Sequence, residues 1–239
     1  CKAGLVSLFV TVKGELYPCI ETGKKYMIGS VDKGLDAEYI RKIIKIEKTQ
    51  NTRCLQCKEY KENKCSRNII SFFGKMSYPP NVEAAIWFSK QVFPLVQKEI
   101  PESQFYIVGK DPSKELLELS VNNPSIVVTG TVDSIEDYYE RTDLVVIPLA
   151  HGGGVKVKVL EALGHGKLIV STVKGIEGTT FQNGKELLTS ESAEEFACIC
   201  INILQNLSAY EGIRRGGYEN TKENFTWKAI VEKFEMELN

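Results

Sequence analysis

The chain has 239 residues, 43% of them hydrophobic and 26% charged, with a formal net charge of −1. This is the composition of a soluble globular protein, long enough for one large domain or two ordinary ones. No apolar run reaches the ~18 residues of a spanning helix, which excludes a helical membrane span. The near-neutral total hides an asymmetry: residues 1–67 hold fourteen Lys/Arg against eight Asp/Glu, and residues 68–239 hold sixteen against twenty-three. Five of the seven cysteines also fall in the first part, at Cys1, Cys19, Cys54, Cys57 and Cys65. Two compositions imply two modules, residues 1–67 and residues 68–239.

In the first module Val6, Leu8, Val10 and Val12 alternate, Lys13-Gly14 offers a turn, and Leu16-Tyr17-Pro18 leads into Cys19. That pattern predicts a β-hairpin. A helix from Leu35 to about Lys48 follows, and Cys54, Cys57 and Cys65 close the segment. Thiolates in a Cys-x-x-Cys pair can both reach one metal, so the five cysteines are candidate ligands of a single four-thiolate site holding a 4Fe–4S cluster or zinc. Unligated thiols are the plainer alternative. The stretch from Arg41 to Arg67 carries nine Lys/Arg against three Glu. With one tyrosine and no recognised motif, it reads as a solvated face and not as a nucleic-acid surface.

From Ile69 onward short apolar runs alternate with helical patterns. The candidate strands are Ile69 to Gly74, Phe105 to Gly109, Ile126 to Thr129, Leu144 to Pro148, Leu168 to Thr172 and Leu187 to Thr189. Between them lie the amphipathic stretches Val82 to Lys98, Ser113 to Leu119, Ile135 to Arg141, Val155 to Leu163 and Ala193 to Gln205, with a last one from Trp227 to Leu238. Strict alternation predicts an α/β fold, a doubly wound parallel sheet with helices on both faces, preceded by the small cysteine-rich hairpin and helix. Asn81, after Pro79-Pro80, is most simply the N-cap of the helix that follows.

The most informative stretch runs from Ala150 to Gly166. Gly152-Gly153-Gly154 follows an apolar strand and opens a helix that carries Lys156, Lys158 and Glu161. Glycines let a backbone approach a ligand closely, and the free N–H groups of a helix N-terminus favour anions such as phosphate. The turn falls at the carboxyl end of a strand, where open α/β sheets bind ligands. A plain tight turn is the alternative. Lys158 and Glu161, three residues apart, share a helical face, so a surface ion pair between them is the alternative to a role at a ligand. His151 beside the loop reads as solvated.

Several motifs from Ile69 to the end resemble the C-terminal, donor-binding domain of retaining GT-B glycosyltransferases of glycosyltransferase family 4, the glycosyl transferases group 1. They are Phe73-Gly74-Lys75-Met76-Ser77-Tyr78-Pro79-Pro80-Asn81, Phe105 to Gly109, Val128 to Asp133, Asp143 to Pro148, the triple-glycine helix, Gly175-Ile176-Glu177-Gly178 and Phe225-Thr226-Trp227. The resemblance implies a Rossmann-like sheet that binds a nucleotide-diphosphate sugar and transfers the sugar with retention. Glu161 would take the second acid of the family's E-x7-E motif and hydrogen-bond the ribose hydroxyls, while Gly153 stands where the first acid belongs. Lys158 would face the diphosphate leaving group as a counter-charge. Lys75, after Gly74, lies near the family's phosphate-gripping basic residue, and Gly130 to Asp133 would offer backbone groups to the nucleobase with Val132 as the nearest contact. Gly152, Gly153 and Gly154 would line the sugar and phosphates.

Gly14-Glu15-Leu16-Tyr17-Pro18-Cys19 and Ile28-Gly29-Ser30 resemble the SPASM domain, the auxiliary iron–sulfur region of radical-SAM peptide-modifying enzymes. The gap between Cys57 and Cys65 is longer than in that pattern, its later cysteines are missing, and no S-adenosylmethionine-binding three-cysteine motif is present. Both resemblances imply a cytoplasmic protein. The start at Cys1 reads as a fragment or a processed chain, with the two segments joined near Arg67 by natural fusion or by fragmentation, and the acceptor-binding first domain of a GT-B enzyme is expected to be missing. A glycan, lipid or protein acceptor and the missing N-terminal domain are then its partners, besides the donor. The alternative is an iron–sulfur module of a radical-SAM maturation enzyme fused to a non-catalytic nucleotide-binding domain.

Overall fold

The computed structural model describes residues 68–154, 156–226, 229 and 231, together with the backbone of four short strands before them. The chain divides into two compact units, Cys65–Glu219 and the pair of segments Cys1–Lys64 and Asn220–Asn239. In the second of these, strands β1 (Phe9–Val10), β2 (Glu15–Tyr17), β3 (Gly29–Ser30) and β4 (Gly34–Leu35) form an antiparallel meander. Phe9 pairs with Tyr17 and Val10 with Leu16, the antiparallel pairing expected of a hairpin. Leu35, expected to open a helix, ends β4 instead. The remainder of that helix, the tail from Trp227 to Leu238 as a whole, and the five cysteines lie outside the described residues.

The larger unit is a six-stranded, all-parallel sheet flanked by helices. Its strands are β5 (Ile69–Phe73), β6 (Gln104–Val108), β7 (Ile126–Gly130), β8 (Leu144–Ile147), β9 (Leu168–Ser171) and β10 (Leu188–Thr189). They are ordered β10-β9-β8-β5-β6-β7. Each matches an apolar run read from the sequence, and β5, β8 and β9 are buried at every position, as expected of strands covered on both faces. The order reverses between β5 and β8, and at such a switch point the carboxyl ends of the strands leave an open crevice.

Helix α1 (Pro79–Trp87) starts on Tyr78 with prolines in its first turn, where a missing N–H costs nothing. It runs through a π-type segment, Phe88–Val92, into α2 (Phe93–Glu99), which has a proline in its own first turn. The sequence predicts one helix from Val82 to Lys98. Pro94 cannot donate to the preceding turn, and the wider segment takes up that break. Helices α3 (Lys114–Asn122), α4 (Ile135–Arg141) and α7 (Ala193–Gln205) are capped by the hydroxyls of Ser113, Ser134 and Ser192. Helix α5 (Val157–Gly164) follows the glycine loop, and the short α6 (Val173–Ile176) is capped by Thr172.

A last helix, α8 (Glu211–Asn224), carries no apolar period that the sequence reveals, and Gly216-Gly217 argues against it. Both glycines have a packing reason. A Cβ on Gly216 would stand 2.8 Å from the Lys185 carbonyl oxygen, and one on Gly217 would stand 2.7 Å from that of Glu186. The helix can approach this backbone only without side chains there.

The core is aromatic. Phe88 lies 4.6 Å from Phe105 and 5.9 Å, edge to face, from Phe196, while Phe93 lies 5.7 Å from Phe105. A second group stacks Tyr139 between Phe73 at 4.0 Å and His165 at 4.3 Å, which pins α4 and the end of α5 to β5. Trp87, Phe88 and Tyr139 therefore serve as packing groups.

Gly109 decides how closely the loops after β5 and β6 approach. Its φ is +152°, and a Cβ there would meet the Gly74 carbonyl oxygen at 1.7 Å. Gly109→Ala is expected to destabilise the protein by at least about 1–3 kcal/mol, the usual cost of forcing extra atoms into a packed site. Urea unfolding of the variant beside the parent measures this, and an unchanged midpoint would contradict the packing.

Candidate functional site

Three segments meet at the carboxyl ends of β5 and β8: the Gly74-Lys75 loop, the first turn of α1, and the glycine loop leading into α5. The first is anchored by backbone bonds from Gly74 N–H to the Val108 carbonyl and from Met76 N–H to the Lys110 carbonyl. The Lys75 side chain is exposed, while its carbonyl turns inward and accepts from Asn81 Nδ2 at 2.8 Å. Asn81 is not the N-cap that its place after two prolines suggests. Tyr78 holds that position, and Asn81 sits within the first turn of α1, 6% exposed, with Oδ1 accepting from Lys158 Nζ at 2.6 Å.

Lys158 projects from α5 over the Phe72 ring, 4.5 Å from its centroid. Its direct partner is Asn81, so the ion pair with Glu161 that the helical spacing allows is replaced by a weaker through-space attraction. Burial lowers the pKa of Lys158 to about 7, with Glu161 opposing the shift. Burial likewise raises that of Glu161, against the attraction of Lys158. Among the described residues the Glu161 carboxylate makes no hydrogen bond or ion pair.

The glycine loop is shaped by a lysine. Gly152 and Gly154 adopt φ of +117° and +71°, conformations that favour glycine, and Lys156 Nζ donates to their carbonyls at 3.1 and 2.7 Å. The pKa of Lys156 is lowered, chiefly by burial. With its carbonyls gathered on one ammonium, the loop's N–H groups have no backbone acceptor among the described residues. Gly153 faces open space, and Gly152 packs near Tyr78 and Pro80. His151, expected to be solvated, is exposed but hydrogen-bonded to Glu83 of α1, which ties the loop to that helix. Helix α5 begins at Val157 with Lys156 as its extended N-cap, two residues later than the glycines alone suggest.

Gly130 ends β7 and Val132 follows it at the same end of the sheet, two strand spacings or about 10 Å from β5. Gly130 has φ +67°. A cleft of about 320 Å³ opens there, lined by Thr129, Thr131, Val132, Asp133, Asp137 and Arg141 among others. The fold thus brings Gly74, Lys75, Lys158 and the glycine loop together, and sets Gly130 and Val132 further along the same edge. Sequence reasoning missed Asn81 and Lys156. The first was hidden by an adequate capping explanation, and the second lacked any signal of the carbonyls it would collect. Cys1, Cys19, Cys54, Cys57 and Cys65 lie outside the described residues, among which no cluster of His, Cys, Asp and Glu is arranged to hold a metal ion.

Residues 67–206 match the family described as glycosyl transferases group 1. The chain belongs to that family. It is 27% identical over 168 residues to an uncharacterized 44.6 kDa protein in the cps region of Klebsiella pneumoniae, covering 67% of this chain and 43% of that one. Its fold is similar to that of HepE from Anabaena, solved in complex with UDP, at a TM-score of 0.61 and 15% identity over 72% of this chain and 49% of HepE. It is also similar to the C-terminal domain of the group 1 glycosyl transferase LpcC from Francisella tularensis, at a TM-score of 0.52 and 17% identity over 63% of this chain and 82% of that domain. The chain spans about half or less of the length of the Klebsiella protein and of HepE. Among the described residues no helix is long and apolar enough to cross a membrane.

The partly buried position of Lys158 gives a measurable consequence. An ammonium with a pKa of about 7 is half neutral at that pH, whereas exposed lysines keep their proton to about 10.4. Because the folded-state value is depressed, the folded protein binds fewer protons than the unfolded chain between those pH values, and its stability should rise with pH across that window. Carbon-13 NMR of lysine Cε should show one resonance titrating near pH 7 that disappears in Lys158→Met. A midpoint near 10 would contradict the buried placement.

Proposed function

We propose that residues 68–239 are the donor-binding domain of a retaining glycosyltransferase that uses a nucleotide-diphosphate sugar. The observation that carries this reading is the convergence of Lys158 and the glycine loop, whose N–H groups have no backbone acceptor among the described residues, at the switch point of a sheet in this family. Charge builds on the diphosphate as the sugar leaves, and donors aimed at that position stabilise the departure without any proton transfer. Lys158 and the amino end of α5 would face the phosphates, with Lys75 at their edge. Gly152, Gly153 and Gly154 would contact sugar and phosphate through backbone N–H groups. Gly74 keeps the approach open.

Glu161 would accept from both ribose hydroxyls, and the loop from Gly130 to Val132 would hold the base, about a nucleoside's length away. UDP is the probe this reading favours, since HepE and the pneumococcal O-GlcNAc transferase GtfA were both solved with it. Retention is what the family resemblance implies, with Gly153 standing where the family's first acid belongs. Transfer to a glycan, lipid or protein acceptor requires a second domain to complete the cleft. Free thiols at the exposed Cys198 and the buried Cys200 fit a cytoplasmic location. For residues 1–67 we propose a separate module whose five cysteines include the ligands of one four-thiolate metal site, as their Cys-x-x-Cys spacing permits.

Two measurements test these assignments. Removing a carboxylate that hydrogen-bonds a ligand costs roughly 1.5–3 kcal/mol, so Glu161→Ala should weaken UDP binding about tenfold or more at ~1.4 kcal/mol per decade. Calorimetric titration of variant and parent decides it, and equal affinities with the fold intact remove Glu161 from the site. For the cysteines, iron and zinc analysis of anaerobically prepared protein should find about one site per chain that is lost in Cys54→Ser. Metal content that ignores the substitution refutes that assignment.

A further inference from the structure

The Asn81 carboxamide joins the two elements that meet at the switch point. Its Nδ2 donates to the Lys75 carbonyl at 2.8 Å, and its Oδ1 accepts from Lys158 Nζ at 2.6 Å. A carbonyl can only accept and an ammonium can only donate, so one orientation of the amide satisfies both and the flipped one satisfies neither. At 6% exposure, no bulk water compensates a flip.

The space for this arrangement comes from Gly74. A Cβ there would stand 2.7 Å from Asn81 Nδ2 and 3.1 Å from Lys158 Nζ. Phe72 closes the lysine from another side. The ammonium is thus held by an amide and an aromatic floor, with two of its three donors unpartnered among the described residues. Asn81 is itself fixed through backbone, so the position of Lys158 is referred to the loop after β5 and not only to its own helix.

We propose that Asn81 is the positioning residue of the diphosphate site: it holds the Lys158 ammonium at the carboxyl end of β5 with its remaining donors free for an anion. This rests on the reading of the crevice as a nucleotide-diphosphate site. Asn81 touches no phosphate and acts through the lysine. A merely structural tie between loop and helix would make loss of Asn81 a stability defect that leaves the chemistry of Lys158 unchanged. A positioning role makes the lysine's proton affinity and its grip on a diphosphate depend on the amide. Replacing Oδ1 by nothing removes an acceptor that favours the charged amine, and replacing the amide by a carboxylate supplies a counter-ion that competes with the phosphates.

The test uses Asn81→Ala and Asn81→Asp, each alone and the first also combined with Lys158→Met, in the full chain. In ligand-free protein the Lys158 titration midpoint should fall in Asn81→Ala and rise in Asn81→Asp. UDP affinity should drop about tenfold in both, as expected for loss of a charged hydrogen-bonding geometry. In the Lys158→Met background Asn81→Ala should cost less than about twofold further, because residues acting as one unit are not additive. Unmoved midpoints in folded variants, or a full loss that persists without Lys158, would overturn the proposal. Should Asn81→Asp not fold, the Asn81→Ala comparison decides alone. A parent that binds no UDP defeats the diphosphate reading and this proposal with it, whereas a parent that binds UDP as tightly as its Asn81 variants defeats this proposal only.

Discussion

Strands β5 and β8 pair in parallel, Ile70 with Leu144 and Ser71 with Val145, and the chain leaves them in opposite directions across the sheet. Every feature of the candidate site depends on that divergence. Neither departing connection covers the gap between the two carboxyl ends, so the loop after β5 and the glycine loop after β8 face each other across it. Residues separated by 77 positions, Asn81 and Lys158, are then within hydrogen-bonding distance. A sheet with the same strands in simple sequential order would have no such opening.

Glycines set the spacing of this crevice for different reasons. Gly109 permits contact between neighbouring backbones, since any side chain would overlap the Gly74 carbonyl. Gly74 leaves room for side chains arriving from two helices. Gly152 and Gly154 allow the loop to fold its carbonyls onto Lys156. The two lysines of the helix start have distinct tasks as a result. Lys156 is consumed in shaping the loop, and among the described residues Lys158 keeps donors without a partner. Burial depresses both pKa values, so neither charge is held without cost.

The sheet was legible in the sequence because its strands are covered on both faces. Runs such as Ile69 to Phe73 and Leu144 to Ile147 need no partner to be recognised, and the helices between them carry a clear apolar period. Where the reading failed, two forces competed at one residue. Gly216-Gly217 speaks against a helix by propensity, yet close packing on the carbonyls of Lys185 and Glu186 requires small residues there. Pro94 speaks for a helix break and receives a π-type turn. Asn81 fits an N-cap by type, but the prolines place the cap at Tyr78.

The sequence by itself determined the class of fold, the order of its elements, the glycine loop and the acid and base on the helix that follows. These are local matters, set by the period of apolar residues and by which side chains tolerate positive φ. Only the tertiary structure decided what those side chains touch. Lys158 meets Asn81 instead of Glu161, and His151 meets Glu83, because strand order brings α1 beside α5, and strand order is fixed by packing between residues far apart in the chain. The burial that shifts Lys158 to about 7 has the same origin, since it comes from a neighbourhood assembled by the sheet and not from the residues beside it in sequence.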